Sequence, residues 1–130
     1  MSRYSISKKL NEAFEPAVVK ARAALESGGF YVTSELDMSG DLRRSLEKDF
    51  RGYRILSANN AELAYKALVV ETEIGLLLPC HVIVYENDEG GSTVASIDPS
   101  VEMSIIENPA LAIVAKEMRE RLERIISGIS

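Results

Sequence analysis

The chain has 130 residues, 46% of them apolar and 27% charged, with a formal net charge of −5. That is enough chain for one domain with its own core, and a single cysteine excludes an internal disulfide. No apolar run approaches the ~18 residues that span a bilayer, and the acidic balance argues against the basic stripe that nucleic-acid binding needs.

The charge is unevenly spread. Residues 1–60 carry ten Lys/Arg and eight Asp/Glu, whereas residues 61–130 carry five and twelve. Between 61 and 107 the one basic residue is Lys66, against nine acids. Solvated loops and helix ends account for most of those acids. The start, MSRYSISKKL, lacks the apolar stretch of a secretory signal, so a cytoplasmic location is expected. No repeat, low-complexity tract or linker interrupts the pattern, and residues 1–130 are read as a single domain.

Arg3 to Lys8 alternates, with Tyr4 and Ile6 on one side, which predicts a half-buried strand. Phe14, Val18, Ala21 and Leu25 then fall on one helical face, with Pro16 in the first turn and Gly28-Gly29 as the stop. Phe30 to Met38 alternates again. Phe30, Val32, Leu36 and Met38 are expected on one face, and Tyr31, Thr33, Glu35 and Asp37 on the other. A short helix capped near Ser39 follows, with Leu42, Leu46 and Phe50 at four-residue spacing and Gly52 ending it. Tyr53 to Ser57 reads as a strand. Asn59 with Glu62 resembles a capping box opening a helix that buries Ala61, Ala64, Ala67 and Leu68.

The segment LLLPCHVIVYEN holds the only cysteine and the only histidine. Alternation puts Cys80 with Val82 and Val84, and His81 with Ile83 and Tyr85. Pro79 is expected as the first strand residue, where a missing donor is tolerated. NDEGG is a hairpin turn, and Ser92 to Asp98 is the return strand. Asn108 caps the last helix, Pro109 takes its first position, and Leu111, Val114, Ala115, Met118, Leu122, Ile125 and Ile126 form its stripe. The order β α β α β α β β α, with half-polar strands, predicts an α+β two-layer sandwich. Its sheet is mainly antiparallel, of about five strands, with helices on one face and the other left uncovered.

Gly75-Leu-Leu-Leu-Pro-Cys80 followed by Val82 to Glu86 is the most specific part of a broader pattern. Tyr4-Ser5, Phe14-Glu15, Gly29-Phe30, Glu35-Leu36-Asp37, YRIL, Asn59, Asp98-Pro99, Met103 and Asn108-Pro109 complete it. End to end, the chain resembles the family known as domain of unknown function 302. It departs from that family's pattern at His81, often asparagine there, and at Asn60, often proline. The resemblance implies a curved antiparallel sheet backed by helices, similar to the fold of TATA-box-binding protein. It implies no reaction, and likeness of fold does not carry DNA binding across.

Cys80 and His81 invite a thiolate–imidazole reading or a metal site. Neighbouring strand residues point to opposite faces, however, so the two should not meet over one substrate or ion. Cys80 is therefore the catalytic candidate only if some other group serves as base, and otherwise a small buried hydrophobe. Tyr31, His81, Tyr85 and Asp98 are the candidate ligand-binding residues. Asp37, Asp41, Glu86 and Asp98 would do acid–base chemistry only where two converge. There is no glycine-rich phosphate loop and no Ser-His-Asp arrangement. No cofactor or metal is expected. The leading expectation is a non-catalytic module that binds a small ligand or a second copy through the uncovered sheet face. The alternative is a thiol-dependent enzyme or redox sensor acting through Cys80. Nucleic acid and membrane are not expected partners.

Overall fold

The computed structural model describes residues 2–130. Five strands form one antiparallel sheet in the order β1-β5-β4-β3-β2. They are β1 (Ser5–Leu10), β2 (Tyr31–Asp37), β3 (Tyr53–Asn59), β4 (Cys80–Glu86) and β5 (Ser92–Ile97). The helices are α1 (Phe14–Ser27), α2 (Met38–Leu46), α3 (Ala61–Val70), α4 (Pro99–Glu102) and α5 (Pro109–Ser127). Single-turn 3₁₀ segments at Thr72–Leu76 and Met103–Ile106 complete the chain. The fold is the expected α+β sandwich, and the sheet does not close on itself.

The core lies between one sheet face and the helices α1 and α5. The sheet contributes Leu56, Ala58, Cys80, Val82, Val84 and Val94. Helix α1 contributes Ala17, Val18, Ala21 and Leu25, and α5 contributes Leu111, Val114, Ala115, Met118, Leu122 and Ile126. These are the stripes that the i, i+3, i+4 spacing predicts. Phe30, just before β2, is the largest fully buried side chain, at 1% exposure. Asn108 caps α5 by accepting from the Ala110 and Leu111 N–H groups. Its amide nitrogen donates to the Val70 carbonyl, which ties the start of α5 to the end of α3.

The β4–β5 hairpin turns through Gly90 at φ +84°, where a side chain would be strained. Gly91 is needed for a different reason: a Cβ there would sit 2.3 Å from the Leu10 carbonyl oxygen. Glycine therefore lets the hairpin approach the end of β1.

Several boundaries differ from expectation. β1 begins two residues later, at Ser5. α2 is capped by Asp37, whose carboxylate accepts from the Gly40 N–H, and it ends at Leu46 with Glu47 left-handed. Phe50 and Gly52 therefore lie beyond the helix. Asn59 is the last residue of β3, and Asn60 caps α3 through the Leu63 N–H. The buried face differs as well: α3 buries Leu63 and Ala67, Ala61 and Leu68 are exposed, and Ala64 is half-buried, because the larger Leu63 takes the core position. β4 starts at Cys80, just after Pro79. The turn-like Asp98-Pro99 start continues into α4, with the Asp98 carboxylate accepting from the Ser100 N–H.

The largest correction concerns β2. A bulge between Val32 and Ser34 shifts its register against β3. An extra residue in a strand reverses the side-chain alternation beyond it. Beyond the bulge, Leu36 stands opposite Ile55 on the uncovered face, while Glu35 and Asp37 turn to the helix side opposite Leu56 and Arg54. Tyr31 therefore does not share a face with Glu35 and Asp37.

Candidate functional site

The uncovered face is built by register. Leu36, Ile55, Ile83 and Ala95 stand opposite one another across β2, β3, β4 and β5 and form an apolar row. The adjacent row is Tyr53, Tyr85 and Thr93. The Tyr53 and Tyr85 rings stack at 5.8 Å between centroids and 16° between planes, and Phe50 tilts onto Tyr53 at 6.1 Å. Burial raises the Tyr53 pKa, and the neighbouring Tyr85 adds to the effect. On the other side of the apolar row, His81 pairs with Ser57 and is exposed. Tyr31 pairs with Asn59, whose amide donates weakly to the Tyr31 hydroxyl at 3.5 Å.

Tyr31, His81 and Tyr85 thus share the face, as residues of one site should. They are not adjacent, however. His81 and Tyr31 stand two strands and two residues apart, ~12 Å, and Tyr85 lies four residues further along β4, ~13 Å from His81. Asp98 is not on this face at all. It sits at the end of β5 on the helix side, buried, where its carboxylate accepts from the Ser100 N–H and hydroxyl and from Arg119 Nε at 3.0 Å. Burial pushes the Asp98 carboxyl up, but those bonds outweigh it and hold it below the usual carboxylate range. Its role there is to cap α4 and anchor α5 to the sheet.

Cys80 is 3% exposed and belongs to the core. Burial pushes its thiol up to about 12, and the charge of Glu102 adds to the shift. One Glu102 carboxylate oxygen, Oε1, is buried without a hydrogen-bond partner, and burial raises its pKa as well. His81 points to the opposite face, so sulfur and imidazole are separated by the sheet. Asp37, Asp41 and Glu86 do not converge either. Asp41 pairs with Arg44, Asp37 caps α2, and Glu86 accepts from the Gly52 N–H at 2.5 Å. Among the described residues no group of three or more His, Cys, Asp or Glu is placed to hold a metal ion. No described helix is long and apolar enough to cross a membrane.

The chain belongs to the DUF302 family. The family's sequence pattern, described as a domain of unknown function, matches residues 6–129. The fold agrees: the chain superimposes with a TM-score of 0.92 on the crystal structure of an uncharacterised conserved DUF302 protein from Bacillus stearothermophilus. That likeness covers 99% of this chain and all of the other, at 20% sequence identity. No match was found among curated proteins.

Two features of this DUF302 chain escape the sequence pattern. The first is Arg54, on the helix side of β3, the strand next to the edge strand β2, with a side chain 13% exposed. It donates to Glu35 at 2.6 Å and to Glu15 at 2.8 Å, and it lies over the Phe14 ring at 5.2 Å. It joins β2, β3 and α1. The YRILSA alternation, which puts Arg54 in line with Leu56 and Ala58, was the available signal. The second is α2. Its apolar stripe was visible as Leu42 and Leu46, but none of its side chains is buried. Leu46 is 61% exposed, and the nearby Phe50 and Leu36 are 53% and 41% exposed. Phe50, against Tyr53, and Leu36, opposite Ile55, carry the uncovered face to its β2 end.

Proposed function

We propose that this DUF302 chain is a non-catalytic interaction module in which the uncovered sheet face, completed by α2, is buried against a second copy. One observation carries the reading. A nine-residue helix is too short to be stable alone in water, where isolated helices below ~12–15 residues are marginal. Helices of this length draw their stability from packing an apolar face, and α2 only half-buries Met38 and Leu42 while leaving Leu46 bare. Phe50 against the Tyr53–Tyr85 stack and Leu36 opposite Ile55 in the Ile55–Ile83 row form a patch, with Leu46 exposed on α2, and a patch of that kind marks an interaction surface. The cavity of about 200 Å³ on this face, beside Tyr85 and Thr93, is open and lined by Lys9, Arg51, Asn87, Asp88 and Glu89, unlike the enclosed apolar pockets that small-molecule sites favour, which supports a protein surface as the occupant. Nucleic acid and membrane have no part in this reading. It places the chain in the cytoplasm, where its one thiol stays reduced.

The thiol-dependent alternative gains no support, because a thiolate nucleophile needs a lowered pKa and access, and Cys80 has neither.

Sedimentation velocity at micromolar concentration tests the proposal. The unaltered chain is expected to sediment above monomer mass. The double variant Leu46→Glu/Phe50→Asp is expected to weaken that association at least tenfold. Its unfolding midpoint at high dilution should be nearly unchanged, because exposed positions contribute little to the isolated fold, usually within ~0.5 kcal/mol. Equal association of variant and parent would refute the face as the contact.

A further inference from the structure

We infer that the free edge of β1 is a second self-docking surface, at which β1 of another copy adds antiparallel to extend the sheet. This goes beyond the face contact and does not depend on it.

The phase of the β1–β5 ladder shows which main-chain groups are free. Ser5 stands opposite Ile97, so Tyr4 stands opposite Asp98, and the Asp98 N–H donates to the Tyr4 carbonyl at 2.7 Å. In an antiparallel ladder, hydrogen-bonded and non-bonded pairs alternate. Ile6, Lys8 and Leu10 therefore direct their N–H and C=O groups toward β5. Ser5, Ser7 and Lys9 direct theirs outward, and no backbone group within the described chain meets them. Ser7 and Lys9 are exposed.

A free edge is normally guarded by charge, proline or a bulge. The other edge, β2, has its bulge at Thr33 and runs straight into α2. β1 is regular over all six residues and has no proline. It carries two lysines, but both are engaged. Lys9 pairs with Glu89 at 2.8 Å, and Lys8 donates to the main-chain carbonyls of Ser127 and Ile129. A cavity of about 500 Å³ lies alongside, between β1 and the end of α5, with Ile6 and Ile126 among its walls.

A two-fold axis through Ser7 fits these charges. It pairs Ser7 with Ser7 of the second copy, and Ser5 with Lys9 in both directions. Each pair exchanges two main-chain hydrogen bonds. On the helix side Lys8 meets Ile6, so no lysine stands opposite a lysine, and Ile6 of the second copy projects on the cavity side. The axis is normal to the sheet. Both uncovered faces therefore lie on the same side and merge into one ten-stranded surface, still free for the contact proposed above. An axis normal to the sheet and one lying between stacked faces are perpendicular, which is what a closed dihedral tetramer requires.

Cysteine cross-linking tests the pairing and its register together. Bonded antiparallel partners stand ~5.5 Å apart at Cα, within the span a disulfide accepts. Mild oxidation of Ser7→Cys is expected to give a covalent dimer at least tenfold faster than Ser34→Cys, an exposed control on the other edge. Ser5→Cys and Lys9→Cys should each stay uncoupled alone and cross-link when mixed. Ser7→Pro removes only an outward N–H, so it should keep the circular dichroism of the parent while halving the assembled mass. Leu46→Glu/Phe50→Asp should leave the Ser7→Cys cross-link intact, which separates failure of the edge from failure of the face. Cross-linking of Ser7→Cys no faster than the control, or an unchanged mass for a folded Ser7→Pro, overturns the inference.

Discussion

Cys80 is expected to ignore a thiol reagent in the folded chain at pH 8 and to react, one thiol per chain, once the chain is unfolded. Two effects multiply. The thiol is buried among Val82, Val84 and Ala58, so reagent cannot reach it. Its pKa is also raised from 9.0 to about 12, which cuts the thiolate fraction at pH 8 by about a thousandfold, and thiolate is the reacting species. The measurement is the rate of reagent consumption with and without denaturant, and a native rate within tenfold of the unfolded rate would reinstate the thiol reading. The same shift sets a pH dependence. The folded chain holds the thiol proton more tightly than the unfolded chain does. The stability this represents is fully present below pH ~9 and is lost as pH rises through the folded value. Cys80→Ala, which has no proton to lose, should show a shallower alkaline decline of its unfolding midpoint.

Replacing Phe30 with alanine is expected to cost ~4 kcal/mol of stability, whereas Phe50→Ala should cost well under 1 kcal/mol in the isolated chain. Both are phenylalanines beside strands, but their surroundings differ. Phe30 is 1% exposed and its removal leaves a cavity that the packed helices cannot fill. Phe50 is 53% exposed and touches Tyr53 from one side only. Urea unfolding at low micromolar concentration distinguishes them through the midpoint at constant slope. Similar losses for the two would mean that Phe50 is already covered in the isolated chain, which contradicts its place on a docking surface.

Much of the architecture was legible because periodicity reports burial. The stripe of α5 and the separation of Cys80 from His81 each follow from one residue pattern with one structural solution. What was hidden depended on single-residue choices between near-equal options. Asn59 and Asn60 are both good caps, and sheet pairing took the first of them into β3. The bulge at Thr33 has no glycine or proline to announce it, so an unbroken alternation over FYVTSELDM looked sufficient. The candidate site suffered most from this. Tyr31, His81 and Tyr85 were placed on the right face, but Asp98 was separated from them by the sheet. The exposure of α2 could not be read from its stripe, because amphipathic spacing shows that a face will be covered without showing by what.

The bulge also governs which kind of change β2 can tolerate. Thr33 is exposed, and its hydroxyl makes one long contact, 3.3 Å to the Ser57 carbonyl, so many side chains could replace it. A change in the number of residues is another matter. Removing Thr33 leaves Val32 opposite Ala58 and Ser34 opposite Ser57 in unbroken alternation, whereas one residue more would turn over every later side chain, taking Glu35 and Asp37 away from Arg54 and driving Leu36 against a cation with no counter-charge. At this point the fold accepts one residue fewer but not one more, and insertion libraries would register the constraint where substitution scans pass over it.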